Sequence, residues 1–348
     1  MTEVSKQNLM LKFGFSSVDR AFTGVKYDVN NFLGHGISSG LDTTLSNFAQ
    51  ELSFYVKNPH LYGGNWGSYT SVNLRRSNTD RIAVTDYLSR DFSITQGINY
   101  WLDDYNDINL SVGYVRRLMQ NNDNPSQDFL NFIDVYGSGI NQVNVAFGWD
   151  YNRLNRAIMP QEGTNVSLNS SVYNMWANGG DSTWFSTSLK ALHFVPLLKA
   201  QEAQNDLIFF VAGTLGVKFA ANGKSEVPFY NRFHAGGNGS VRAYKPNSLG
   251  LKDANGDARG GDYLTELSLN LVVPNFLSND LRTSLFVDAG QVHLSKIKLK
   301  DIRYSLGINL EYTLPGLGLP MSLSVGRGLN PNGVEKRKNY IFDLGFTF

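Results

Sequence analysis

The sequence predicts an all-β fold, a 16-stranded antiparallel transmembrane β-barrel. Three observations favour it. Apolar and polar residues alternate with period two in sixteen segments, short turns alternate with long polar loops, and no apolar run reaches the roughly 18 to 20 residues of a membrane helix. A membrane strand needs only about 9 to 11 residues with alternate ones apolar, so a mean hydropathy of −0.25 is compatible with a membrane location.

The terminal segments show the alternation clearly. In the first strand one face is apolar, formed by Leu9, Leu11, Phe13 and Phe15, and Gly14 lies on the other face. The last strand repeats the pattern with Tyr340, Phe342, Leu344, Phe346 and Phe348, and Gly345 lies opposite. Between them, alternation is found near 20–31, 36–46, 50–58, 66–77, 88–101, 106–118, 140–151, 164–174, 183–195, 206–219, 262–273, 281–292, 302–314 and 321–327.

The connections between these segments are unequal in length. Leu102–Tyr105 and Pro315–Leu319 are short, whereas Met119–Gly139 and Ala221–Gly261 are long and polar. Outer-membrane barrels have this asymmetry. Aromatic residues at strand ends are typical of the girdles that lie at headgroup level in such barrels. Here they are Tyr304, Tyr312, Tyr340 and Phe348.

A water-soluble all-β protein is the alternative, with its apolar face filling a core. A barrel of sixteen strands is too wide for side chains to fill, so an apolar interior would be hollow. A polar lumen and an apolar exterior suit the pattern better.

Composition excludes several functions. With 31 Lys and Arg against 30 Asp and Glu, the chain has no field that would attract nucleic acid, and the absence of Cys excludes disulfides and thiolate metal sites. Five histidines occur without an accompanying nucleophile motif, at positions 35, 60, 193, 234 and 293. We therefore predict no enzymatic activity, no cofactor and no metal.

One long segment resembles a known family. Residues Pro228–Gly250 read PFYNRFHAGGNGSVRAYKPNSLG and resemble the sixth extracellular loop of the BamA family, the outer-membrane insertases that assemble β-barrel proteins. The resemblance continues through LRTSLFVDAGQV at Leu281–Val292 and the strand from Arg303 to the terminal YIFDLGFTF, and VNNFLGHG at Val29–Gly36 resembles a periplasmic turn. It thus covers essentially the whole chain.

The resemblance implies that the long loop, residues 221–261, folds into the lumen. In that family a Val-Arg-Gly-Phe/Tyr tetrad at the loop tip docks on the inner wall. The corresponding residues here are Val241, Arg242, Ala243 and Tyr244. Alanine in place of glycine matters if the backbone there has a positive φ, which alanine tolerates poorly.

A buried Arg242 would need carboxylate or carbonyl partners. Asp288 points inward because Val287 before it faces lipid, and Glu266 on the preceding strand also points inward. The resemblance places Asn270 where the family usually has a glutamate. Our hypothesis is an ion pair between Arg242 and Asp288, with Glu266 substituting for the missing carboxylate. The alternative is a solvated loop arginine and an ordinary lumen aspartate.

The resemblance also implies a function and a location. The chain would be the central subunit of an outer-membrane assembly machine, inserting proteins through a lateral seam where the first strand meets the last. The seam residues are those of the two terminal strands given above. Its partners would be the outer-membrane bilayer, unfolded outer-membrane proteins, and accessory lipoproteins bound through periplasmic domains absent from this chain.

We expect residues 1–7 to be a linker remnant and residues 8–348 to form the barrel. Two other functions remain open. A passive porin also suits sixteen strands, although its constriction loop would carry opposed charge clusters rather than a glycine-rich segment with a single arginine. Related family members that translocate secreted polypeptides or autotransporters have similar barrels.

Overall fold

The computed structural model consists of sixteen antiparallel strands in a single sheet that curls into a barrel. It describes residues 6–16, 20–32, 34–61, 64–79, 84–200, 206–221, 226–275, 278, 280–314, 319–331, 335 and 337–344. The strands are β1 (Lys6–Ser16), β2 (Arg20–Phe32), β3 (Ile37–Ser46), β4 (Ala49–Leu61), β5 (Trp66–Asn78), β6 (Leu88–Trp101), β7 (Asn106–Gln120), β8 (Gly139–Asn152), β9 (Gly163–Ala177), β10 (Gly180–Leu198), β11 (Leu207–Ala220), β12 (Tyr263–Val273), β13 (Leu281–His293), β14 (Arg303–Leu314), β15 (Leu319–Leu329) and β16 (Tyr340–Leu344).

Every strand pairs with its neighbours in sequence, and β1 lies beside β16 to complete the ring. The predicted fold is confirmed, since each predicted segment coincides with a strand. Some strands extend a few residues beyond the predicted segments, such as β10 at Gly180–Leu198 against the predicted 183–195. For the last strand the alternation predicts Tyr340–Phe348, whereas β16 is described to Leu344 and residues 345–348 lie outside the described residues.

The two faces of the sheet differ in polarity. Outward side chains such as Leu285 and Val287 are exposed, although they are apolar. Inward side chains form ion pairs: Lys12 of β1 with Asp42 of β3, Lys26 with Asp28 within β2, and Arg117 of β7 with Asp91 of β6. An apolar exterior around a polar lumen is the opposite of a water-soluble β-protein, so that alternative is wrong.

The predicted aromatic girdle residues lie on the outer face where they are described. Tyr304 and Tyr340 are exposed, and Tyr312 is half-buried. Phe348 lies outside the described residues. Tyrosine rings at this position place an apolar body against lipid and a hydroxyl near water.

The up-and-down topology separates the connections into two ends of the barrel. Among the described residues, the long-loop end carries 47–48, 79, 84–87, 121–138, 178–179, 221, 226–262, 294–302, 330–331, 335 and 337–339. The short-turn end carries the described residues 34–36, 64–65, 102–105, 153–162, 199–200, 206, 274–275, 278 and 280. In outer-membrane barrels the longer loops are extracellular and the short turns periplasmic.

The connection predicted as a polar loop at Met119–Gly139 contains a helix, so that part of the prediction is wrong. Helix α1 spans Gln127–Tyr136. Its N-cap is Ser126, whose Oγ accepts a hydrogen bond from the backbone N–H of Phe129 at 3.2 Å, and it ends at Gly137 with φ +76°. No helix in the described residues is long and apolar enough to cross a membrane.

Candidate functional site

The connection between β11 and β12, residues 221–262, is the lumen loop. Its tip is the tetrad of Val241, Arg242, Ala243 and Tyr244, each at most 8% exposed. The tetrad lies on the inner wall formed by β12 to β15. The predicted tip residues are therefore brought together with the predicted wall.

Arg242 and Asp288 form the central contact. The guanidinium donates to both carboxylate oxygens, from Nε to Oδ2 at 2.9 Å and from Nη2 to Oδ1 at 2.6 Å. The backbone N–H of Arg242 also donates to Oδ2 at 2.9 Å. Asp288 is fully buried, so a planar guanidinium fork satisfies a carboxylate that has no access to water.

Three polar side chains complete the contact. Arg242 Nη2 also donates to Ser268 Oγ and to Asn270 Oδ1, each at 2.9 Å. Asp288 accepts from Ser268 Oγ at 2.7 Å and from Ser305 Oγ at 3.0 Å. Each oxygen of the carboxylate thus has at least two donors, which compensates the cost of burying both charges.

The guanidinium of Arg242 also stacks on an aromatic ring. The Cζ atom of Arg242 lies 3.6 Å from the centroid of the Phe286 ring on β13. The Phe286 ring in turn lies against the backbone of Gly307 and Gly326, where an added Cβ would come within 2.8 and 2.9 Å of its Cζ. The arginine is therefore held by both hydrogen bonds and a cation–π contact.

Glu266 takes a different role from the one predicted. Its carboxylate accepts a hydrogen bond from Ser240 Oγ, the residue before the tetrad, and is not among the described partners of Arg242. The amide oxygen of Asn270 binds the arginine instead. A neutral oxygen is sufficient here because Asp288 already balances the single charge of Arg242.

Val241 and Tyr244 anchor the two ends of the tetrad. A Cβ added at Gly290 would lie 2.8 Å from Cγ2 of Val241, and one added at Gly328 would lie 3.0 Å from the Tyr244 ring. The Tyr244 hydroxyl donates to the carbonyl oxygen of Leu329. Two glycines of the wall thus form the depressions into which these side chains fit.

Ala243 adopts the left-handed backbone conformation, with φ +65°. In this conformation an alanine destabilises the fold relative to a glycine by about 1 to 2 kcal/mol. Its methyl group is buried, which returns about 0.8 kcal/mol. The two effects are similar in size, so alanine can occupy this position.

We expect Ala243→Gly to leave loop docking within about 1 kcal/mol of the parent, because the conformational gain and the lost burial offset each other. Ala243→Val should undock the tetrad, since a β-branched residue at positive φ is a strong outlier. Protection of the lumen loop from trypsin in folded barrels measures both. Equal protection in the valine variant would contradict the role of this conformation.

A second cluster connects the lumen loop to helix α1 at the long-loop end. Phe129 and Phe132 of α1 pack with Phe229 and Tyr230 of the lumen loop, with ring centroids 5.4 to 6.0 Å apart. Inward-facing wall residues complete the cluster: Met119, Ile140, Met175 and Trp184. These apolar side chains cover the mouth of the barrel beside β7 to β10.

Ion pairs reinforce this cover. Asp128 in the first turn of α1 accepts from Arg259 Nε and Nη2 at 2.7 and 2.6 Å, and from Arg232 Nη1 at 3.2 Å. His234 nearby is half-buried, and the desolvation of its ring lowers its pKa to about 4. The histidine is therefore uncharged at neutral pH and adds no charge beside the two arginines.

The boundary between β1 and β16 is the seam. β1 pairs with β2 along its whole length, and on its other side Phe15 pairs with Leu344 of β16. Four predicted seam residues on β1 and one on β16 are exposed on the outer face: Leu9, Leu11, Phe13, Phe15 and Tyr340. Gly14 faces the lumen, and Phe342 and Leu344 lie on β16. Gly345, Phe346 and Phe348 lie outside the described residues.

The connection between β15 and β16, residues 330–339, is the seam loop, and it contacts the tetrad directly. The backbone N–H of Lys338 donates to the carbonyl oxygen of Ala243 at 3.0 Å, and Tyr244 forms a β-bridge with Arg337. Glu335 is buried and accepts from Arg303 Nε of β14 at 2.8 Å. The docked lumen loop therefore continues, through the seam loop, to the start of β16.

Sequence reasoning missed the Arg303–Glu335 pair and the contributions of Phe286 and Ser305. Phe286 and Ser305 lie at inward positions on their strands. The alternation predicts this orientation, but it does not indicate which side chain each residue contacts. Glu335 lies in a loop, where period-two patterns give no orientation.

Comparison with known proteins gives concordant results. Residues 31–348 match the family model of the Omp85 superfamily domain. The outer membrane protein assembly factor BamA of Neisseria meningitidis serogroup B is 27% identical over 235 residues, which cover 58% of this chain and 28% of that protein. The chain therefore spans little more than a quarter of the length of this curated relative.

Solved structures show the fold. BamA from Haemophilus ducreyi lacking POTRA domains 1-3 has a TM-score of 0.88 at 22% identity, covering 99% of this chain and 71% of that one. CdiB from Acinetobacter baumannii has a TM-score of 0.58 at 14% identity, covering 99% of this chain and 59% of that one. The arrangement of strands is thus much more similar to the first structure.

Proposed function

Because the chain belongs to the Omp85 superfamily, we propose that it is the membrane barrel of an outer-membrane protein insertase, which folds other β-barrel proteins into the bilayer. The observation that carries this proposal is the seam itself, where the first strand, β1, lies beside the last strand, β16, and closes the ring. The name of the Neisseria relative, an outer membrane protein assembly factor, supports the same class of function.

The proposed mechanism uses backbone hydrogen bonds. A strand edge exposed in lipid leaves N–H and C=O groups unsatisfied, at a cost of several kcal/mol each. If the seam separates, the edges of β1 and β16 offer these groups to an incoming strand, which pairs with them by β-augmentation. Such templating requires no bond to be made or broken covalently, so we propose that the protein is not an enzyme and uses no cofactor.

The lumen loop has a supporting role in this mechanism. By docking on β12 to β15 it fixes the wall next to the seam, and through Lys338 and Arg337 it holds the segment that leads into β16. The wall therefore stays rigid while the seam separates.

The proposed partners are the outer-membrane bilayer, unfolded outer-membrane proteins and accessory assembly lipoproteins. The bilayer follows from the apolar exterior of the barrel. The lipoproteins would bind periplasmic domains joined to the barrel, such as the POTRA domains named for the Haemophilus structure. We expect the barrel without such domains to lose most of its assistance, because client delivery depends on them.

A cross-link across the seam tests the proposal. The chain has no cysteine, so Phe15→Cys with Leu344→Cys introduces the only thiols, at paired positions. We would reconstitute this variant, joined to amino-terminal POTRA domains, in liposomes and measure the folding of a separate unfolded barrel. Oxidation is expected to abolish assistance and reduction to restore it. The control is Leu285→Cys with Ile308→Cys, which cross-links β13 to β14 away from the seam and should change nothing.

The alternatives predict other results. A passive porin would let small solutes pass and assist no folding in either redox state, and the apolar cover over the mouth argues against it. A translocator related to the insertases would transport a partner polypeptide across the liposome membrane without leaving it inserted.

A further inference from the structure

An open groove of about 610 Å³ lies on the outer face of the barrel, across β3 to β7 near the long-loop end. Its apolar lining consists of outward-facing side chains: Leu45, Leu52, Leu74, Phe92 and Leu118. The neighbouring outward positions hold three arginines: Arg76, Arg90 and Arg116. A lipid-facing surface with this many cations is unusual, since charges on the lipid face destabilise barrels.

The strand register brings the arginines together. Arg76 on β5 pairs directly with Arg90 on β6, and Arg116 on β7 pairs with Phe92 in the adjacent row. Directly paired positions have Cβ atoms about 4.5 to 5.5 Å apart, and like charges there are destabilising. The arrangement therefore calls for an anion that compensates both guanidinium groups.

No described residue supplies that anion. Asp91 is adjacent in sequence but points into the lumen, where it accepts two hydrogen bonds from Arg117 at 2.9 Å each. Glu51, also beside the groove, points inward as well and accepts from Ser53. Within the described ranges, neither Arg76 nor Arg90 has a salt bridge or a side-chain hydrogen bond, and the described contact of Arg116 is to Asn141 Oδ1 at 3.2 Å.

The arginines lie at the height of lipid headgroups. Arg76 is two residues before the end of β5, and Arg90 is two residues after the start of β6. At about 3.3 Å per residue, both lie roughly 7 Å from the strand ends at the long-loop side. The apolar lining begins one row deeper, at Leu74 and Phe92. A cationic rim above an apolar groove matches the shape of a lipid with an anionic headgroup.

We propose that this groove, the arginine groove, binds a lipid of the outer leaflet with a phosphorylated headgroup. A phosphate between Arg76 and Arg90 would accept hydrogen bonds from both guanidinium forks, which suit phosphate geometry. An acyl chain of the same lipid would lie along the apolar lining towards the bilayer centre. Arg116 at the next row reaches a second phosphate or a glycolipid hydroxyl.

The proposal is independent of the seam. The groove spans β3 to β7, whereas the seam lies between β1 and β16. Loss of lipid binding would leave the insertase proposal unaffected, and failure of the seam cross-link would leave this one unaffected.

The test measures lipid binding to the folded barrel in detergent by native mass spectrometry. The probes are lipid A with two phosphates, the same lipid after dephosphorylation, and phosphatidylcholine. Arg76→Gln with Arg90→Gln is expected to lower lipid A binding at least tenfold and to leave phosphatidylcholine unchanged. The control, Lys300→Gln with Arg327→Gln, removes two exposed charges from the same end away from the groove and should bind lipid A as the parent does.

A second measurement needs no variant. Phenylglyoxal modifies exposed arginines, and lipid A should protect Arg76 and Arg90 at least fivefold, with no protection of Arg327. Equal lipid A binding by the glutamine variant, equal binding of the dephosphorylated lipid, or equal protection by inorganic phosphate with phosphatidylcholine would each overturn the proposal. The last of these outcomes would indicate a site for a free anion rather than for a lipid.

Discussion

Replacement of Asp288 by asparagine is expected to release the lumen loop from the barrel wall. Asp288 is fully buried and accepts from Arg242, Ser268 and Ser305. An asparagine of the same shape loses one acceptor and turns an amide donor towards the guanidinium, which leaves Arg242 buried without a counter-charge. Breaking a buried ion pair in this way costs about 3 to 5 kcal/mol.

The measurement is chymotrypsin cleavage after Tyr244, the last residue of the tetrad, where the next residue is Lys245. A loss of 3 kcal/mol corresponds to roughly a 100-fold increase in the open population and in the cleavage rate. Asp181→Asn, which changes an exposed carboxylate at the same end of the barrel, is the control and should leave the rate unchanged.

A compensating variant separates charge from packing. Arg242→Leu with Asp288→Leu removes both charges, and replacing a buried pair by apolar residues is often close to neutral. This double variant should therefore recover part of the protection that Asp288→Asn loses. Unchanged cleavage in Asp288→Asn would show that the ion pair does not hold the loop.

Replacement of Arg303 by methionine is expected to loosen the beginning of β16. The change removes the guanidinium that pairs with the buried carboxylate of Glu335, again at a cost of about 3 to 5 kcal/mol. The seam loop then loses its anchor on β14, while its contact through Lys338 with the tetrad remains. The effect should therefore appear at the seam rather than at the lumen loop.

Hydrogen–deuterium exchange locates this effect. Amides of residues 335–344 should exchange at least tenfold faster, and amides of the tetrad should change little, because exchange reports the free energy of local opening. Arg327→Met, at an outward-facing position on β15 close to the seam, is the control. Uniform acceleration throughout the barrel would mean that the pair stabilises the whole fold instead of the seam.

The sequence could predict the fold because period-two alternation survives in every strand. The positions of β13 and β14 follow from Leu285, Val287 and Tyr304, which face lipid, and the inward orientation of Asp288 follows from the same alternation. The predicted family is likewise confirmed by the Omp85 match. The period-two alternation thus predicts both the positions of the strands and the face on which each residue lies.

Other features of the structure depend on contacts that the period-two alternation does not predict. Helix α1 was hidden because Phe129 and Phe132 lie in a connection in which only the 3.6-residue period, and not the strand period, applies. The choice of Asn270 over Glu266 as a partner of Arg242 depends on where the loop tip lies along the barrel axis. That height is set by Val241 fitting against Gly290, a packing relation between residues far apart in the chain.

The stack of Arg242 on Phe286, and of Phe286 on Gly307 and Gly326, determines the order of assembly. Its base exists only when β13, β14 and β15 have paired, although the loop that completes it precedes all three in the chain. The tetrad therefore precedes in the chain the three strands on which it docks, and it can dock only after they have paired. Docking of the lumen loop is a late event, and a docked loop reports that the carboxyl-terminal wall is already complete.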